Sequence, residues 1–120
     1  MAVHNDLGTL GEVLAATFLQ REGYAILERN WRFQKAEIDI IAQKDVDTIV
    51  FVEVKTRNSA FFGDPQSFVT PSKVKLLVKA ANEYLISNQL EAEARFDIIA
   101  VLKNSKEERI EHFKNAFYHF

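Results

Sequence analysis

The apolar positions of the chain change period several times, and each change marks an element. From Leu7 to Glu22 they fall three and four apart, at Leu7, Leu10, Leu14 and Phe18, with Val13 or Ala15 beside them. That spacing predicts an amphipathic helix with this stripe against the core. Gly23 suits the C′ position, where glycine takes the left-handed conformation without penalty. Gly8 and Gly11 are poor helix formers and argue for a later start. Tyr24 to Asn30, or on to Phe33, reads as a strand. Ala36-Glu37-Ile38-Asp39-Ile40-Ile41-Ala42 then alternates with period two. The alternation places Ile38 and Ile40 on one face and Glu37, Asp39 and Ile41 on the other. After a polar turn from Gln43 to Thr48, Ile49-Val50-Phe51-Val52-Glu53-Val54-Lys55 is β-branched and aromatic, and apolar on both faces at first. A central strand covered on both sides has that pattern.

Arg57 to Val69 reads as a loop, with Gly63, Asp64 and Pro65 as breakers. Thr70-Pro71 is a helix start, threonine as N-cap and proline in the first turn. The helix runs to about Asn88 with Val74, Leu77, Val78, Ala81 and Leu85 as its buried stripe. Phe96 to Leu102 is a strand, Lys103 to Glu108 a polar turn, Arg109 to Phe113 a short strand, and the chain ends in an aromatic tail. The predicted class is mixed α/β (α+β), an αβββαβ core with one further strand. Its second and third strands form a hairpin, and a right-handed crossover through the second helix makes the next pair parallel.

At 120 residues the chain fits one domain, 1–120. Cysteine is absent, which removes disulfides, thiolate metal sites and thiol catalysis together. The first residues lack a basic region followed by an apolar run, and no apolar stretch approaches the roughly 20 residues that span a bilayer. A cytoplasmic protein without a membrane segment is expected. The net charge of -2 counts against a generic nucleic-acid binder, which is usually basic. The distribution offsets this: Arg29, Arg32, Lys35, Arg57, Lys73, Lys75 and Lys79 lie mid-chain, and the acids Glu91, Glu93, Glu107, Glu108 and Glu111 come later. Local potential, not the total, steers a polyanion.

Candidate chemistry concentrates on the hairpin. If it turns around Val46, Asp39 faces Glu53 and Glu37 faces Lys55, with opposed Cβ atoms roughly 5 Å apart. Two carboxylates at that distance on apolar strands need relief: a raised pKa on one, the ammonium of Lys55, or a bound cation. Carboxylate oxygens completed by water and phosphate suit a hard ion such as Mg²⁺ or Mn²⁺. An ordinary cross-strand salt-bridge ladder is the competing reading. Lys73, in the first helical turn where a cation opposes the dipole, is either a phosphate contact or a cap or salt-bridge residue. Lys75 and Lys79 form a basic stripe, either a solvated face or a nucleic-acid contact. Phe61 and Phe62 stack on unpaired bases, close the core or meet a second subunit. Trp31 reads as structural. His4, His112 and His119 lack metal-ligand spacing, which argues against a zinc site.

Asp39 followed by Glu53-Val54-Lys55 resembles the PD-(D/E)xK signature of the restriction-endonuclease-like superfamily. Gly8-x-x-Gly11-Glu12, Glu37-Ile38-Asp39-Ile40-Ile41, Phe51-Val52-Glu53-Val54-Lys55-Thr56-Arg57, Phe62-Gly63, Val69-Thr70-x-x-Lys73 and Arg95-Phe96-Asp97-Ile98-Ile99-Ala100 resemble, in this order, the small YraN-type family of resolvase-like proteins. The resemblance implies a restriction-endonuclease-like fold and a metal-dependent nuclease acting on DNA in preference to RNA, with branched or structured DNA as one substrate class. It implies Asp39, Glu53 and the backbone carbonyl of Val54 as ligands of Mg²⁺ or Mn²⁺, and Lys55 as the catalytic lysine. Glu12 matches an additional acid of the same site, against a plain solvated helix acid, and Glu37 supports the site beside Asp39, against a salt bridge to Lys55 or an arginine. Arg57, Lys73, Lys75 and Lys79 are the expected nucleic-acid contacts, and a homodimer is compatible with the fold. Ala36 stands where the family usually has glycine. The alternative function is a catalytically silent nucleic-acid-binding or partner-binding module on the same fold.

Overall fold

The computed structural model describes residues 6–59 and 69–117. The expected breakers Gly63, Asp64 and Pro65, the pair Phe61 and Phe62, His4, and His119 in the tail lie outside the described residues. The elements follow in the order α1 (Asp6–Arg21), β1 (Ala25–Phe33), β2 (Ala36–Gln43), β3 (Thr48–Arg57), α2 (Pro71–Ser87), β4 (Glu93–Lys103) and β5 (Glu108–Phe113). The five strands form one sheet in chain order. Pairs β1–β2, β2–β3 and β4–β5 are antiparallel, and β3–β4, joined through α2, is parallel. This is the predicted mixed sheet with its hairpin and parallel crossover. No helix among the described residues is long and apolar enough to cross a membrane.

Two apolar layers sandwich the sheet. Phe51, Ile49, Ile98 and Phe96 pack with Leu77, Ala80, Ala81 and Tyr84 of α2. Val50, Val52, Ile99 and Val101 pack with Ala15, Ala16 and Leu19 of α1. Neighbouring residues of β3 and β4 thus go to opposite faces, as strand alternation requires. Trp31 is structural, as read: its ring meets Tyr84 edge-on at 5.2 Å.

The helices depart from their predicted faces. On α1, Leu10 and Val13 are exposed, and the buried line is Gly11, Ala15, Ala16 and Leu19, with Leu14 and Phe18 partly buried. The helix packs through small residues because it lies close on the sheet. A Cβ on Gly11 would fall 1.9 Å from the Thr56 hydroxyl oxygen of β3. Helix propensity therefore misjudges this glycine, which is needed for close approach inside the helix instead of delaying its start. On α2, Leu77 and Ala81 are buried as predicted, but Ala80 and Tyr84 complete the face and Val74, Val78 and Leu85 sit at its margin. The predicted cap is present: Thr70 Oγ1 accepts from the Lys73 N–H at 3.2 Å, with Pro71 opening the helix.

Candidate active site

The site lies where β2 and β3 part. Their ladder runs from Gln43↔Ile49 to Ile40↔Val52, in the register expected from a turn at Val46. It stops one step before Asp39 and Glu53 would face each other, so Asp39–Glu53 and Glu37–Lys55 are not paired positions. Instead Asp39 Oδ2 accepts the backbone N–H of Val54 at 2.8 Å, taking the place of a strand carbonyl.

A backbone irregularity lies beside this point in β1. Asn30 adopts φ 53°, a left-handed conformation that asparagine tolerates better than most residues. It sits between Arg29↔Ile40 and Trp31↔Ile38, at the level of Asp39. Across this kink the alternation inverts. Trp31 and Ile38 pack on the α2 side, whereas Ile40 packs on the α1 side and Arg29 reaches Glu12 of α1 at 3.9 Å. Ile38 and Ile40 therefore lie on opposite faces, contrary to strict period-two alternation. Asp39 falls at the inversion.

Glu53 continues the α2-facing side of β3 and is only 6% exposed. It lies over an apolar floor, lining a cavity of about 10 Å³ with Ile38, Phe51, Leu77, Phe96 and Phe117. Two ammonium groups share its Oε2: Lys73 of α2 at 2.6 Å and Lys55 at 3.8 Å. Lys73 is thus brought to the centre of the site, and the salt-bridge reading describes its contact. Nothing in the local pattern of α2 pointed to Glu53, twenty residues away. The signals were the unfavourable first-turn position and the quoted Val69-Thr70-x-x-Lys73 motif.

Asp39 makes no ion pair among the described residues. Its carboxyl is pushed up to about 7, chiefly by burial and then by the charge of Glu53, with Glu12 adding to the effect. The Val54 N–H and the Lys73 ammonium oppose the rise without cancelling it. Burial raises the Glu12 carboxyl too; Arg29 counteracts this, and the charges of Glu37 and Glu53 add to it. Glu37 pairs with Arg32 at 3.5 Å, the arginine facing it across β1–β2. Four acids thus feel one another's fields, and Asp39 is the one left without a cation.

Among the described residues no three His, Cys, Asp or Glu side chains converge as they would in a closed protein cage. Asp39 and Glu53 nevertheless fit a hard ion of the Mg²⁺ kind, which is commonly held by one or two carboxylates and completed by water and substrate phosphate. The excess negative charge on Asp39 is what such an ion would relieve. Glu12 faces Arg29 and stands at the site's margin. Arg57, Lys75 and Lys79 are exposed, the two lysines on the outward side of α2.

A second polar cluster escaped the sequence reading. Asp97 is fully buried on β4 and accepts from Arg95 Nε and Nη2 at 3.0 and 2.8 Å and from the Asn115 N–H at 2.9 Å. His112 Nε2 lies 2.7 Å from it, and Arg95 also donates to the Tyr24 hydroxyl at 2.9 Å. Burial alone would push the Asp97 carboxyl up; the His112, Arg95 and Asn115 contacts outweigh it and hold the carboxyl below its ordinary value. These contacts tie β4, the end of β5 and the α1–β1 connection together. The quoted Arg95-Phe96-Asp97 motif was the available sequence signal, since Arg95 and Asp97 share a face.

The family described as "Uncharacterised protein family UPF0102" matches residues 11–101, from the close-packed Gly11 through β4 and so across every candidate residue of the site. A UPF0102 protein of Flavobacterium psychrophilum is 67% identical over the whole of both chains. One of Flavobacterium johnsoniae is 53% identical over the whole of both, and one of Geobacter metallireducens is 50% identical over 98% of this chain and 97% of its own. With the fold, the acids and their surroundings covered by one match, the chain belongs to the UPF0102 family.

Proposed function

We propose that the protein is a metal-dependent nuclease of the restriction-endonuclease-like superfamily, hydrolysing phosphodiester bonds in DNA, with branched or otherwise structured DNA as its substrate class. The observation that carries this reading is Asp39: a half-buried carboxylate beside Glu53, at the end of a parted hairpin, with no ion pair among the described residues. Mg²⁺ or Mn²⁺, held by Asp39, Glu53 and the Val54 carbonyl, would polarise a phosphoryl oxygen and lower the pKa of an attacking water. Asp39 is fixed for that task by its bond to the Val54 N–H, and Glu53 by the apolar floor beneath it. Lys55, 3.8 Å from Glu53, supplies positive charge where negative charge develops on the phosphate. Glu12 and Glu37 add to the negative field that favours a cation. Arg57, Lys75 and Lys79 are exposed and are the proposed contacts to the nucleic-acid backbone.

The test is cleavage of plasmid, single-stranded and four-way-junction DNA with and without Mg²⁺ or Mn²⁺. Metal-dependent cutting by the wild type, lost in Glu53→Gln, is the expected result. No cutting on any substrate, or equal cutting by Glu53→Gln, refutes it and favours a binding module on the same fold.

A further inference from the structure

Lys73 belongs to two environments at once. Its ammonium holds Glu53 Oε2 at 2.6 Å, and its side chain also lines a groove of about 350 Å³ between the start of β2 and the first turns of α2. Lys35 and Glu37 border the groove on one side, and Thr70 and Ser72 on the other. The side chain is 40% exposed, against 6% for its partner, so the lysine has an open route away and the glutamate has none. Lysine suits such movement, being a compact charge on a flexible stem.

The charge balance gives this placement a consequence. Both ammonium groups of the site, Lys73 at 2.6 Å and Lys55 at 3.8 Å, lie on Glu53, and Asp39 has no ion pair among the described residues. A divalent ion shared by the two carboxylates would offset both charges. It would also stand within about 4 Å of an ammonium left on the same oxygen, where two cations repel strongly. The two occupants of Glu53 exclude each other.

Resting on the metal-site reading above, we infer that Lys73 is the resident, displaceable counter-ion of Glu53. It leaves Glu53 when the carboxylate pair takes a divalent cation, and turns into the adjoining groove, where with Lys35 it binds a phosphate of the nucleic-acid backbone. Cation and nucleic acid then reinforce each other, because the cation releases the lysine that the phosphate needs. Such coupling is reciprocal by linkage. Without the cation the groove's lysine stays on Glu53 and DNA is held less tightly.

Two variants of opposite sign test this. Lys73→Met removes the competing charge while keeping the length of the stem. Lys73→Arg keeps the charge and can hold the carboxylate through two parallel hydrogen bonds. Titration calorimetry with Mn²⁺ at pH 8 should show Lys73→Met binding about tenfold tighter than wild type and Lys73→Arg binding more weakly. Ca²⁺, used to avoid turnover, should tighten binding of a fluorescent four-way junction to the wild type several-fold more than to Lys73→Met, which keeps the cation's own phosphate contact but has no lysine to release; equal tightening of the two would overturn the displacement. If Mn²⁺ binds the wild type and both variants alike, the displacement idea is wrong and the metal site stands. If Mn²⁺ binds no protein, or binds Glu53→Gln as well as wild type, the metal-site reading falls and takes this inference with it.

Discussion

Replacing Asp39 by asparagine changes one charge and little else. The amide oxygen can still accept the Val54 N–H, so the parted hairpin keeps its bond. In the folded protein the Asp39 carboxyl sits at about 7, against 3.8 for an ordinary aspartate. The folded state therefore holds a proton that the unfolded chain has released between about pH 4 and 7. Stability is greatest below the unfolded value, declines as pH rises, and levels off once the folded group ionises near pH 7. The gap between the two values corresponds to about 4 kcal/mol at its limit, of which about 2.5 kcal/mol falls between pH 5 and 8. Urea unfolding of wild type and Asp39→Asn, both in chelator at pH 5 and pH 8, measures it. The wild type should lose about 2.5 kcal/mol more than the variant over that interval, or roughly 10 °C in Tm for a domain of this size. Titrating groups away from the site are common to both proteins, so the difference between the two profiles reports Asp39 together with its coupling to Glu53 and Glu12. Mg²⁺ at pH 8 should restore the wild type and leave the variant unaffected. Parallel pH profiles would show that Asp39 is adequately solvated or paired, and the charge argument for a cation would fail.

Two further outcomes follow from packing. Gly11→Ala should cost about 1–3 kcal/mol in denaturant unfolding, because the new methyl overlaps Thr56, whereas Gly8→Ala, with nothing within 4 Å, should gain about 0.5–1 kcal/mol as in any exposed helix; equal effects at the two positions would refute the close approach of α1. Asp97→Asn should cost about 3–5 kcal/mol at pH 7 by leaving the Arg95 charge without its carboxylate. Because the Asp97 carboxyl is held low, its contribution is present above about pH 4 and lost as pH falls through the folded value, so acid unfolding of the wild type should be steeper below pH 4 than that of the variant.

The elements were legible because they are written in local periodicities. Period two marked β2 and β3, three-and-four spacing marked both helices, and Thr70-Pro71 marked the start of α2 through a side-chain bond only three residues long. The hairpin register was legible for the same reason, since a turn centred on Val46 fixes every pair from Gln43↔Ile49 to Ile40↔Val52. Asp39, Glu53 and Lys55 could be picked out as a set because Glu53 and Lys55 share a face of β3 and the hairpin register brings Asp39 to their level.

What the sequence by itself determined is therefore the order of elements, their pairing and the neighbourhood of the acids. The tertiary structure alone decided which charges meet. The faces invert at Asp39, opposite the left-handed Asn30, a backbone conformation that no hydrophobic pattern signals. Gly11 sets the depth of α1 by a contact with Thr56, forty-five residues on, and so exposes Leu10 and Val13 that periodicity had placed inside. Lys73 reaches Glu53, and Asp97 gathers Arg95, His112 and Asn115, only after a crossover and a hairpin have folded back. Backbone hydrogen-bonding patterns repeat over a few residues and leave a period in the sequence. The meeting of two side chains across the sheet depends on how deeply and at what angle each helix seats, and that leaves none.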